Sequence, residues 1–361
     1  MMDEAVQPED QEDLLDLNEI MQAFGISAWT NLGQISVLLP DTLQWLVEIN
    51  EQRYVLRERP EGLIEDESSH RYAFRSYLAS VGIPIPSLWL TPGGESSVTI
   101  GETVFELERE ADGEHFSTAD ARSLAWVSAA GEMLARIHQA SCLYPGPQHR
   151  WPSEAHIGGV VQGYLNLARG KAETIEIAAI AAALSHWCDQ WEAVLPQAMV
   201  AIGSVRGLPE FHIHGDYHAL NLRFSSRSIT AVLNWDASRW EKRIIELAYA
   251  LFYFSSLTWK ADSTTTRPLV KRGFDPERAH RFLAAYGEIE SPVANEAAIL
   301  GNALALVAPI ATINGPLEDL IFNPRGVDDT LIDDIMDRLA WAASFPGWLG
   351  RVRQSIGEMW K

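Results

Sequence analysis

The run from Phe211 to Phe224 reads FHIHGDYHALNLRF, a strand-like stretch interrupted by His214-Gly215-Asp216 and resumed at Leu222-Arg223-Phe224. The spacing His214-x-Asp216-x-x-x-x-Asn221 is that of a phosphoryl-transfer catalytic loop, H-x-D-x-x-x-x-N. In that chemistry an aspartate accepts or orients the proton of an attacking hydroxyl, and the asparagine oxygen binds a metal ion. A glycine next to an aspartate is also an ordinary turn, with the carboxylate capping backbone amides. What separates the two readings is Asn221 at the right distance and a second polar hairpin about a dozen residues on.

That hairpin follows a short apolar run, Ala231-Val232-Leu233, which stops abruptly at Asn234-Trp235-Asp236. The second metal carboxylate of such a site belongs in this loop, so Asn234 and Asp236 join Asn221 as candidate ligands. On an extended chain alternate residues point to one side, so Asp236 is expected to share the side of Asn234 and to supply the charge an amide lacks. Polar groups at the ends of two adjacent strands are costly to bury without partners. They want a metal, a ligand or one another.

The whole stretch resembles the aminoglycoside phosphotransferase and choline kinase-like family of small-molecule kinases. The family signature is HGDxHxxN, an apolar strand, an aspartate in an IDW- or IDF-type turn, and a DLA helix start. Here it reads His214-Gly215-Asp216-Tyr217-His218-Ala219-Leu220-Asn221, then Leu233-Asn234-Trp235-Asp236, then Glu246-Leu247-Ala248. The chain departs twice: Asn234 stands at the metal aspartate, and Glu246 at the aspartate of DLA. His218 is read as a hydrogen-bonding prop for the loop, and His138, in a GxxLAxLH-like helix from Gly131, as a structural histidine.

The resemblance implies an α+β, two-lobed protein kinase-like fold, with an antiparallel sheet lobe at residues 1–108 and a mainly helical lobe at 109–361. The N-terminal half fits. Residues 35–39, 43–49 and 53–58 are β-rich, with turns at Pro40-Asp41 and Asn50-Glu51, and residues 97–108 give two more strands about Gly101-Glu102. A glycine-rich phosphate loop is absent. The resemblance places Arg57 of the third strand at the phosphate-binding base. It makes Glu67, in a helix from 67 to 80, the candidate partner of that base, and Glu108, Arg109 and Glu110 the hinge whose backbone meets adenine. From Ser123 onward the periodicity is helical: 123–139, 155–169, 173–195, 244–257, 275–286, 295–313 and 328–345.

Composition sets the remaining bounds. A chain of 361 residues, 47% hydrophobic with 13 tryptophans, can bury a large core. A net charge of −21 argues against nucleic acid as a partner, since phosphates would be repelled, and suits a cationic substrate or a solvated acidic surface. The first base is Arg53, and the acidic start turns helical at about 14–24. No uninterrupted apolar run reaches the roughly 20 residues of a membrane span. The longest, near 303–313, contains Pro309. The start lacks a basic-then-apolar signal, and Cys142 and Cys188 lack metal spacing, so a reducing, cytoplasmic location is expected.

The expected activity is transfer of the terminal phosphate of ATP or GTP, with Mg2+, to a hydroxyl of a small molecule, by a monomer or homodimer without membrane partners. Asp216 is the catalytic candidate, with Asn221, Asp236 and Asn234 at the metal. Aspartates 328, 329, 333, 334 and 337, with Trp240 and Trp259, fit either a solvated acidic helix face or an amine-bearing acceptor. The rivals are a nucleotide-binding pseudokinase or regulatory module, motivated by Asn234, and a Ser/Thr protein kinase. The latter is disfavoured because a long activation segment and an APE signal are missing after Asp236.

Overall fold

The computed structural model describes residues 16–35, 43–59, 65–148, 150, 157–256, 273–293, 295–322 and 329–360. The chain divides into two compact units: residues 1–63 with 86–110, and residues 64–85 with 111–361.

Among the described residues, the first unit is a five-stranded antiparallel sheet, order β1-β2-β3-β5-β4, with one short helix. Its elements are α1 (Leu17–Ala23), β1 (Thr30–Ile35), β2 (Gln44–Ile49), β3 (Gln52–Glu58), β4 (Val98–Ile100) and β5 (Thr103–Arg109). Strand β2 alternates buried and half-buried positions, so Trp45, Val47 and Ile49 enter a core with Ile20, Phe24, Leu56, Phe105 and Leu107. Asn50 and Glu51 turn β2 into β3 with φ of 51° and 62°, as a two-residue hairpin requires. Strand β1 occupies Thr30–Ile35, ahead of the expected run, and residues 36–39 of that run, with the Pro40-Asp41 turn, fall outside the described residues. β1 is largely exposed, so its apolar pattern was too weak to locate it.

The second unit holds α2 (Glu65–Ser80), α3 (Ser123–Cys142), α4 (Ile157–Thr174), α5 (Ala178–Glu192), α6 (Leu195–Ser204), α7 (Arg243–Ser256), α8 (Pro276–Gly287), α9 (Glu296–Phe322) and α10 (Asp329–Glu358). Two small antiparallel pairs sit among them: β6 (Glu210–Ile213) with β9 (Arg239–Lys242), and β7 (Leu222–Ser225) with β8 (Ser228–Val232). Helix α2, grouped with the sheet on sequence grounds, packs within this unit. Its Phe74 ring meets Tyr144, His212 and Trp235, and its Tyr77 hydroxyl donates to the Ala140 carbonyl.

Helices α9 and α10 outrun their expected ends because Pro309, Pro316 and Pro346 are accommodated inside them. Tertiary packing overrides the local cost of an interior proline. Within α9 the stretch Glu296–Ile313 is long and apolar enough to cross a bilayer, contrary to the run count from sequence, but 72% of it is buried inside the fold. Its apolar content is explained by helices on several sides: α9 packs against α10, α7, α6 and α4. Cys188 is buried and Cys142 exposed, both as free thiols.

Candidate functional site

The site is assembled on the β6-to-β9 segment and the start of α7, all within the second unit. Strand β6 ends at Ile213, and the chain turns sharply at Gly215, where φ is +85°. A Cβ there would stand 2.0 Å from the Ala237 carbonyl oxygen and 2.7 Å from Arg239 Nη1. Only glycine lets the loop approach the connection between β8 and β9 this closely.

His214 ties the two loops together. Its Nε2 donates to the Leu233 carbonyl at 2.8 Å, and its Nδ1 accepts the Asp216 N–H at 3.2 Å, which fixes the neutral tautomer. Burial holds its pKa below the usual histidine value. The Trp235 ring lies 4.5 Å from the His214 ring. Beneath the loop, the Glu246 carboxylate accepts the N–H groups of His214 (3.2 Å) and Gly215 (2.5 Å). The same carboxylate meets His138 Nε2 at 2.8 Å, and His138 Nδ1 meets the Tyr286 hydroxyl at 2.7 Å. Glu246 and His138 have no exposed side-chain surface. Burial alone would raise the Glu246 pKa, but His138, His214 and the Gly215 amide outweigh it and hold it below the ordinary range.

Asp216 is the hub. Its Oδ1 accepts the Tyr249 hydroxyl at 2.7 Å and lies 3.2 Å from His218 Nε2. Its Oδ2 accepts Asn221 Nδ2 at 2.9 Å and Asn234 Nδ2 at 3.2 Å. His218 Nδ1 accepts the Leu220 N–H at 3.2 Å, capping the 3-10 turn Ala219–Asn221, so the Nε2–H faces Asp216. His218 thus does what the sequence suggested and also touches the candidate catalytic carboxylate. Burial raises the Asp216 pKa. The His218 imidazole, the Tyr249 hydroxyl and His214 outweigh it and hold the group well below the usual carboxylate range. Asp216 is therefore ionised near neutral pH. Such a weak base orients a hydroxyl better than it removes its proton in advance. About 26% of its side chain stays exposed, enough for a substrate to reach it.

Asn221 also donates from Nδ2 to the Asp216 carbonyl at 2.8 Å. Because both asparagines spend Nδ2 on Asp216, both turn Oδ1 away as an acceptor. Asn234 has φ of +58°, a left-handed conformation. That residue ends the extended alternation, so Asp236 does not share a side with Asn234 as expected. Asp236 Oδ1 instead pairs with Arg71 Nη1 of α2 at 2.7 Å. Among the described residues, no group of three or more His, Cys, Asp or Glu side chains is placed to hold a metal. The side chains beside Asp216 that could offer an oxygen to a hard cation are the amides of Asn221 and Asn234.

Of the residues expected at the nucleotide, Arg57, Glu108, Arg109 and Glu110 lie in the first unit, and Glu67 lies on α2 of the second. Arg57 Nη2 meets Glu106 at 2.8 Å across the β3–β5 pairing, and Arg59 also pairs with Glu106. Glu106 is 1% exposed. The Glu67 side chain is outside the described residues, so the strand-three base is seen with a partner on β5. Glu108 and Arg109 close β5, and the Glu110 N–H donates to the Arg53 carbonyl. Asp328 and Trp259 are likewise outside the described residues, as is the Asp329 side chain. Asp333 and Asp337 face solvent, and Asp334 pairs with Arg338 on α10. Tyr249 and Arg71 were missed by sequence reasoning. Tyr249 follows Glu246 by three residues, one helical turn, and that spacing was the available signal.

A search of curated proteins finds no match. Among solved structures, a microcompartment-associated aminopropanol kinase is similar at 15% identity and TM-score 0.66, over 93% of this chain and 96% of that one. The choline kinase from Cryptosporidium parvum Iowa II is similar at 12% identity and TM-score 0.59, over 91% of each chain. A thermostable mutant of aminoglycoside phosphotransferase APH(4)-Ia, in ternary complex with AMP-PNP and hygromycin B, is similar at 15% identity and TM-score 0.54, over 92% of this chain and 96% of that one. These likenesses establish the kinase-like fold. The family model of the APH phosphotransferase enzyme family matches residues 41–298, well over half of the chain. This protein belongs to the APH phosphotransferase enzyme family and is a small-molecule kinase.

Proposed function

We propose that the protein transfers the terminal phosphate of ATP or GTP to the hydroxyl of an amine-bearing small alcohol. The observation that carries this reading is Asp216: an ionised, partly exposed carboxylate held by four side-chain donors in an H-x-D-x-x-x-x-N loop. Asp216 accepts a hydrogen bond from the acceptor hydroxyl and aims its oxygen in line with the phosphorus. His218 and Tyr249 hold Oδ1, and the two asparagine amides hold Oδ2, so the carboxylate cannot swing. Positioning of this kind supplies much of the rate in phosphoryl transfer.

Asn221 and Asn234 would hold Mg2+ through Oδ1, and the ion would neutralise charge on the phosphates. Within the first unit, Arg57 and the backbone at Glu108, Arg109 and Glu110 are assigned to the nucleotide. An amine-bearing acceptor is supported by the aminopropanol, choline and aminoglycoside specificities in the names of the similar structures. It is also supported by the Tyr249, Tyr253 and His218 rings clustered beside Asp216. The net charge of −21 draws cations in general.

The rival is a nucleotide binder without turnover, favoured by Asn234 and by the engagement of Asp236 with Arg71. A panel of amino alcohols, aminoglycosides and sugars, assayed with ATP and GTP, separates the two. Asp216→Ala should abolish transfer while nucleotide affinity stays within about twofold, because the loop meets the acceptor rather than the base. Wild-type turnover in that variant would end the assignment.

A further inference from the structure

Helix α7 is buried along its whole length except at two positions, Tyr249 and Tyr253, which are half-buried. Four residues apart, they share one face of the helix. Tyr249 reaches Asp216 directly. Tyr253 stands between the two groups that meet Asp216 Oδ1. Its ring stacks on His218 with centroids 5.1 Å apart and planes at 28°, and it lies 4.6 Å from the Tyr249 ring. The His218 and Tyr249 rings are 6.5 Å apart, so each is nearer to Tyr253 than to the other. The Tyr249 and Tyr253 side chains are also hydrogen-bonded to one another. A phenol carries one proton, and that of Tyr249 goes to Asp216, so Tyr253 is the donor in this second bond.

We propose that Tyr253 is a positioning residue that keeps His218 and Tyr249 converged on Asp216 Oδ1. Its effect on turnover rests on the kinase reading above; its effect on the His218 ring does not. His218 Nδ1 is pinned by the Leu220 N–H. That one bond leaves the tilt of the ring open, and the stacked face of Tyr253 fixes it. The Tyr249 hydroxyl can rotate about its C–O bond. Donation from Tyr253 occupies its oxygen and leaves its proton for Asp216. Tyr253 is itself held in place, because the neighbouring Phe252 packs against Trp341 and Phe345 of α10. One side chain thus sets both donors to a single carboxylate oxygen, and an oriented carboxylate is what phosphoryl transfer needs.

The test compares Tyr253→Phe, which keeps the ring and loses the donor, with Tyr253→Leu, which loses both, in the full chain. Nitrogen–proton correlation spectra of labelled histidine, with His218 assigned from its missing signal in His218→Gln, read the ring without any substrate. Wild type and Tyr253→Phe should show His218 as a single Nε2–H tautomer, and Tyr253→Leu a mixture of the two tautomers. Transfer from ATP to the best acceptor of the panel above is measured in parallel. The kcat should fall about threefold in Tyr253→Phe and about tenfold or more in Tyr253→Leu, with KM for ATP and acceptor within about twofold of wild type. An unchanged His218 spectrum in Tyr253→Leu overturns the proposal. So does a raised acceptor KM at wild-type kcat, which would make Tyr253 a wall of the acceptor site instead. If Tyr253→Leu does not fold, Tyr253→Met replaces it with the same expectations. If the kinase reading fails, no acceptor in the panel takes phosphate from the wild type, and the spectra alone decide the role of Tyr253. If only this proposal fails, the wild type transfers phosphate and the variants match it in spectrum or in kcat.

Discussion

The Tyr249 hydroxyl donates to Asp216 Oδ1 at 2.7 Å, from a helix that begins more than twenty residues after the candidate catalytic loop. This contact fixes the angle of the candidate catalytic carboxylate and lowers its proton affinity together with His218. Neither effect was visible in the loop motif.

Tyr249→Phe removes that donor and leaves the ring. A hydrogen bond to a charged group contributes about 1.5–3 kcal/mol, so turnover should fall at least tenfold. The folded Asp216 pKa lies below its usual value, so the wild type keeps this group ionised throughout the neutral range. Losing a donor to the anion raises the pKa, and the acid limb of kcat/KM should move to higher pH. A pH profile and rate equal to wild type would show that Tyr249 does not orient Asp216.

Asn234→Asp replaces the amide donor on Asp216 Oδ2 with a second carboxylate. Without metal, two like charges face each other, and stability should fall by about 1 kcal/mol. With Mg2+ the added charge becomes a ligand, so the magnesium concentration for half-maximal turnover should drop. Chemical denaturation with and without Mg2+ checks both signs. A variant less stable in both conditions, with an unchanged magnesium requirement, would place the metal elsewhere.

Glu246→Gln tests the support beneath the loop. A buried carboxylate receiving two backbone amides and a histidine is expensive to neutralise, and the loss should be about 3 kcal/mol in urea denaturation. The sign with pH follows from a depressed folded pKa. The stabilisation is present above the ordinary carboxylate range and is lost as pH falls through the folded value. The wild type should therefore weaken on acidification below about pH 4.3, and the variant should be less sensitive there. Equal stability at pH 7 would remove Glu246 from this role.

The sequence by itself determined the candidate catalytic loop, the polar turn after β8 that faces it and the general order of strands then helices. These are local matters: Gly215 admits a conformation other residues resist, and apolar periodicity marks each buried face. Asn221 could be assigned from spacing alone because five residues of one loop bring it back to Asp216. Three features were decided only by tertiary structure. Asp236 looked equivalent to Asn234 while the chain was taken as extended, and the left-handed turn at Asn234 with Arg71 on α2 sent it elsewhere. Tyr249, and the link from Glu246 through His138 to Tyr286, depend on α3, α7 and α8 packing side by side. Helices α9 and α10 continue past their prolines because burial on several sides outweighs a missing backbone donor. Pairings between residues distant in sequence leave no local periodicity, so they become visible only once the elements are packed.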